Sequence, residues 1–131
     1  GKAEAGLAVA ETGLFQDRPY VLTPTAATNP EALERVRAIA SSLGANLCQC
    51  SPDQHDRAVA WISHLPVMVS SSLILACQGE TDPAILTLAQ TLASSGFQDT
   101  SRVGGGVPDL GTLMARHNRA AVLDALTQYQ Y

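Results

Sequence analysis

Apolar residues crowd the middle of the 131-residue chain more densely than either end. Residues 51–78, SPDQHDRAVAWISHLPVMVSSSLILACQ, read as one long helix. Ser51 suits the N-cap and Pro52 the first helical position. Gln54 stands where a capping-box partner belongs. Asp53 complements the helix dipole and is spaced to pair with Arg57 at i,i+4. Beyond Arg57 the apolar residues fall on every side, the pattern of a buried helix. Such a helix would be roughly 40 Å long, more than a small domain is wide, so wrapping from elsewhere is expected, another chain being one source. Pro66 removes a backbone hydrogen bond and predicts a kink. His64, in apolar surroundings beside it, needs a polar partner.

The flanking segments are patterned differently. Residues 1–13 are rich in Ala and Glu and suggest a short helix. Residues 18–23, RPYVLT, alternate as a short strand stopped by Pro24. Asn29 and Pro30 start a helix whose stripe is Leu33, Val36, Ile39, Ala40 and Leu43, and Gly44 ends it. Residues 46–50 are a second strand. Strand, helix, strand in some thirty residues is a βαβ unit, expected right-handed if parallel. Two strands make a poor sheet, so neighbouring strands are expected outside this chain. After residue 78, Gly79 and Asp82-Pro83 stop one helix and start another, carrying Ile85, Leu86, Leu88, Ala89 and Leu92. Residues 94–107, SSGFQDTSRVGGGV, read as a loop. Pro108 opens a helix with Leu110, Leu113 and Met114. Asn118 either re-caps that helix or lies within it, and an apolar face continues to the end. Neither end carries a starting or closing signal, as if the chain were cut from a longer one.

Composition narrows the function. Charged residues are 15%, hydrophobic ones 46% and the net charge is −4. With no basic run, nucleic-acid binding has little electrostatic support. The apolar run 65–76 is short for a bilayer span and holds three serines, so no membrane partner is expected. Cys48, Cys50 and Cys77 fit a reducing cytosol as buried or half-buried free thiols better than a disulfide scaffold or a metal site.

Four groups could carry chemistry. His64 is either a core histidine bonded to a carbonyl or serine, or a pocket residue. Residues 96–102, GFQDTSR, place Asp99, two hydroxyls and Arg102 beside glycine. Arginine is the preferred bidentate carboxylate binder, and a surface Asp99–Arg102 ion pair is the plainer alternative. Gly104, Gly105 and Gly106 match neither a P-loop nor a dinucleotide fingerprint and suit a flexible connector. His55-Asp56 reads as a solvated or capping pair.

The segments LF-(x)4-YVLTPT, HDRAVAWISHLPVMVS, LASSGFQDTSRVGGGVP and Asn118 with Leu123 five places on resemble the prephenate/arogenate dehydrogenases of tyrosine biosynthesis. The wording is nearest the arogenate-type branch, and the likeness covers essentially the whole chain. It implies a mainly α fold with a small βαβ piece. Residues 1–51 would be the tail of a Rossmann-type domain, and residues 52–131 a helical substrate-binding and dimerisation domain like the C-terminal domain of 6-phosphogluconate dehydrogenase. It implies a cytoplasmic homodimer, NADP or NAD as cofactor, and oxidative decarboxylation of arogenate or prephenate. Carried over residue by residue, Arg102 holds a substrate carboxylate, His64 lines the pocket and Asp99 is its acidic neighbour. Gln98 stands where several relatives have a basic residue. The family's nucleotide-binding glycines are absent. Its catalytic histidine sits in an HPMAG-like motif whose final glycine aligns with Gly1. The chain is therefore expected to bind no cofactor and to be inactive alone. The rival is a purely structural homodimerisation module without a ligand site. A thiol or metal protein using Cys48 and Cys50 is a distant third.

Overall fold

The computed structural model describes residues 6–130, which form two compact units meeting in sequence at His55 and Asp56. In the first unit, among the described residues, a single 3-10 turn, Leu7–Val9, forms where a helix is expected over residues 1–13. Residues 1–5 of that expectation lie outside the described residues. Strand β1 (Pro19–Leu22), helix α1 (Pro30–Ser42) and strand β2 (Asn46–Gln49) follow. The strands pair in parallel, with Pro19 opposite Asn46 and Leu22 opposite Gln49. Asn29 Oδ1 accepts the Ala32 N–H at 3.1 Å, the cap its position suggests. Gly44 ends α1 at φ +73°. Its N–H donates to the Ser41 carbonyl, and the Ala45 N–H donates to the Ala40 carbonyl, the paired bonds of a Schellman motif. Leu22 and Ala40 are buried, while every residue of β2 is exposed. That exposure goes with a sheet that has only these two strands among the described residues.

The expected long helix runs unbroken from Pro52 to Gln78. Its start is a reciprocal capping box: Gln54 N–H donates to Ser51 Oγ at 3.1 Å, and Ser51 N–H to Gln54 Oε1 at 2.9 Å. No ion pair joins Asp53 and Arg57 among the described residues, so the expected i,i+4 contribution is missing. Helix α2 (Pro52–Val59) passes through a π segment (Ala60–His64) into α3 (Leu65–Gln78). Within it the Leu65 N–H donates to the Ala60 carbonyl, five residues back. Pro66, which has no N–H, follows at once, and the widened turn shifts the bonding ladder around it.

In the second unit, α4 (Pro83–Leu92), α5 (Ser95–Ser101), α6 (Pro108–His117) and α7 (Arg119–Tyr129) follow α3. Asp82 Oδ1 caps α4 through the Ala84 N–H at 2.8 Å. The core joins Ala60, Leu65, Val122 and Ala125, with Met68, Val69, Ala121 and Leu126 against it. Two alanines in that cluster let α7 approach the π segment closely.

The all-round apolar helix is not buried within the described residues. Trp61 is 42% exposed, Ile62 79% and Leu75 67%. The apolar pattern thus exceeds what one copy of these helices covers. The helix Pro52–Gln78 is also long and apolar enough to cross a membrane by length and composition. The apolar run 65–76 is only part of this helix, which continues well beyond it on the N-terminal side.

Candidate functional site

Residues 94–107 are not a plain loop. Ser95–Ser101 is helical, and Arg102 is its C-cap, with its N–H bonded to the Gln98 carbonyl at 3.0 Å. The hydroxyls that suggested a loop turn back into the helix. Thr100 Oγ1 donates to the Gly96 carbonyl and Ser101 Oγ to the Phe97 carbonyl. What holds the helix in place is distant in sequence. Ser70, 2% exposed on α3, donates its hydroxyl to the Thr100 carbonyl at 2.7 Å. The same oxygen accepts the Gly104 N–H at 2.8 Å. Ser71 Oγ reaches the Gly104 carbonyl at 3.3 Å. A Cβ on Gly104 would lie 2.4 Å from Ser71 N and 2.5 Å from Ser70 C. Gly104 is therefore a close-approach point against α3 rather than part of a flexible connector.

Asp99 and Arg102 are both exposed, three residues apart at the end of α5. No ion pair joins them among the described residues. The plainer account of this pair, a mutual surface salt bridge, is thus not formed.

His64 is half-buried as the last residue of the π segment. Asn118 separates α6 from α7 and is also half-buried. Its Nδ2 lies 3.2 Å from His64 Nδ1 and donates to the Asp56 carbonyl at 2.7 Å. Sequence spacing leaves Asn118 either between two helices or within one, and the structure places it between them; its side chain could not be assigned because both partners lie more than fifty positions away. A cavity of about 800 Å³ in the second unit lies elsewhere, along α3, the Gly104 segment and α6. Val67, Ile74, Val107, Leu110, Arg116 and Arg119 are among the residues that line it, and none of His64, Asp99 and Arg102 is. Cys48 is exposed, and Cys50 and Cys77 are half-buried.

Comparison with known proteins adds the family. Residues 51–131 match the family model described as prephenate dehydrogenase, dimerization domain. Residues 1–49 match the one described as prephenate dehydrogenase, nucleotide-binding domain. A prephenate dehydrogenase of Bacillus subtilis is 29% identical over 129 residues, 98% of this chain and 34% of that protein. Synechocystis arogenate dehydrogenase is 58% identical, with a TM-score of 0.87 over 99% of this chain and 47% of its own. The prephenate dehydrogenase of A. aeolicus, solved with hydroxyphenyl propionate and NAD+, superposes with a TM-score of 0.89 over 99% of this chain and 45% of its own. At 23% identity that second likeness speaks for the fold. The chain spans about a third of the length of the curated relatives it matches.

Proposed function

The chain belongs to the prephenate dehydrogenase family, and from that premise we propose that it is the substrate-side and dimer-side portion of an NAD(P)-dependent dehydrogenase of tyrosine biosynthesis. The reaction is oxidative decarboxylation of a cyclohexadienyl substrate to an aromatic product, and arogenate is its substrate ahead of prephenate. The observation that carries this choice is the 58% identity to an arogenate dehydrogenase across 99% of the chain. Residues 1–51 are the tail of the nucleotide-binding domain and residues 52–131 the helical domain, in a cytoplasmic homodimer. The match to a dimerization domain and the uncovered Trp61, Ile62 and Leu75 support the second copy.

Arg102 binds a substrate carboxylate through its planar fork. Helix α5 carries it at an exposed end, with Asp99 one turn earlier to orient it. His64 lines the same pocket. The residues that could cradle a dinucleotide pyrophosphate lack its glycine-rich pattern. The segment after β1, TPTAATN, contains no glycine, and the Gly104 N–H is engaged by Ser70. On this reading NADP or NAD is held mainly by residues of the parent protein other than these, and this chain alone turns over no substrate.

A second reading is a helical homodimerisation module with no ligand. It draws support from the cavity along α3 and α6, which is mainly apolar and does not include the three candidate residues. Assay of the full-length parent with NADP and each substrate decides. Arogenate should exceed prephenate in kcat/KM by about tenfold, some 1.4 kcal/mol. The reverse order would overturn the substrate choice. Turnover of neither, with no rise in melting temperature on adding hydroxyphenyl propionate, would leave the module.

A further inference from the structure

Asn118 sits where an asparagine commonly caps the following helix, yet its side chain makes no cap to α7. Its Nδ2 is instead 2.7 Å from the Asp56 carbonyl oxygen and 3.2 Å from His64 Nδ1. A carbonyl oxygen only accepts, so the amide group facing Asp56 must be the NH2, which settles the orientation of the side chain. That NH2 has a second hydrogen for His64. It has nothing with which to accept, so His64 Nδ1 must be the acceptor. A neutral imidazole whose Nδ1 accepts carries its proton on Nε2.

We propose that Asn118 is a positioning residue that holds His64 as the neutral Nε2–H tautomer. Combined with the reading of His64 as a substrate-side residue, on which its purpose rests, this makes His64 a hydrogen-bond donor to a substrate oxygen through Nε2. Asn118 acts on the substrate only through His64. The Asp56 carbonyl serves as its anchor, eight positions before His64 on the same helix, so the tautomer is set by the docking of the α6–α7 junction onto the long helix.

Imidazole nitrogens report their protonation directly in long-range 1H–15N correlation spectra. The full 131-residue chain, labelled with 15N, gives signals from His55, His64 and His117, and loss of one set in His64→Asn assigns the others. Expected is a pyridine-type Nδ1 and a pyrrole-type Nε2 at His64, well above the range where imidazole is protonated. Asn118→Asp, whose carboxylate only accepts, should move a proton onto Nδ1. Asn118→Ala should give a mixture of both tautomers. A pyrrole-type Nδ1 in the unsubstituted chain, or an unchanged His64 spectrum in a folded Asn118→Ala, overturns the proposal. The unsubstituted spectrum decides even where a variant fails to fold. In the full-length parent, titration with hydroxyphenyl propionate then separates the two inferences. A pyrrole-type Nε2 that does not respond upholds the tautomer while removing the substrate role of His64.

Discussion

The Ser70 hydroxyl stands 2.8 Å from the Gly104 nitrogen, in a space that a methyl group on Gly104 would have to enter at 2.6 Å. The contact joins α3 to the segment after α5 through a single serine hydroxyl and close backbone approach. Two of the three nearest atoms are backbone, so relief requires the helix itself to move. Gly104→Ala should therefore lower stability by about 1–3 kcal/mol, the usual range for overpacking. Gly105→Ala is the control, because its nearest neighbour would be the Arg102 carbonyl at 3.8 Å. Urea denaturation of both variants is the measurement, and equal midpoints would remove the argument.

Ser70 itself is the second test. It donates to the Thr100 carbonyl and accepts from the Gly104 N–H while almost fully buried. Ser70→Ala leaves both backbone groups without that partner and should cost about 1–3 kcal/mol. The loss should fall on α5 before the rest of the unit. Amide exchange in residues 95–104 is expected to speed up more than exchange in α7. Uniform acceleration across the unit would show that Ser70 supports the whole core rather than α5.

These two contacts also explain which parts of the chain can be read from its sequence. The capping box at Ser51 and Gln54, the Asn29 cap and the Gly44 stop depend on residues within a few positions of one another, and each forms as its spacing implies. Helix α5 does not, because Ser70 anchors it from 30 positions away. Without that anchor, SSGFQDTS has the composition of a loop. The role of Asn118 is hidden for the same reason: its partners are 62 and 54 positions distant. Pro66 was legible as a disturbance of the helix, but its form, a π segment ahead of it, depends on how the ladder is re-bonded. The candidate residues in α5 were recognisable by type, while their lack of a mutual ion pair needed coordinates.

The exposed apolar residues of the long helix predict self-association. Burying Ile62, now 79% exposed, is worth about 1.5–3 kcal/mol per copy. Sedimentation equilibrium at micromolar concentration should show a dimer, and Ile62→Asp should weaken it at least tenfold without unfolding the chain. Trp61, the single tryptophan, supplies an independent signal, since its emission should shift to shorter wavelength as the dimer forms. A folded monomer that partitions into lipid vesicles would assign the helix to a membrane instead.

Arg102 supplies the sharpest separation of function from structure. It is exposed, ends a short helix, and has no ion pair with Asp99. Removing its side chain therefore takes little away from the fold, because surface substitutions of this kind typically stay within about 0.5 kcal/mol. A bidentate bond to a substrate carboxylate is a different matter. Charge-assisted hydrogen bonds contribute about 1.5–3 kcal/mol each, so losing the pair should reduce kcat/KM by several kcal/mol. In the full-length parent, Arg102→Ala should raise KM strongly while leaving NADP affinity and Tm nearly unchanged. Arg102→Lys keeps the charge but not the planar fork and should recover only part of the loss. Asp99→Asn should have a smaller effect in the same direction, because it alters the orientation of the guanidinium and leaves its charge in place. If Arg102→Ala keeps KM within about twofold, under 0.5 kcal/mol, the residue takes no part in substrate binding. If it unfolds the protein, Arg102 is a structural residue despite its exposure.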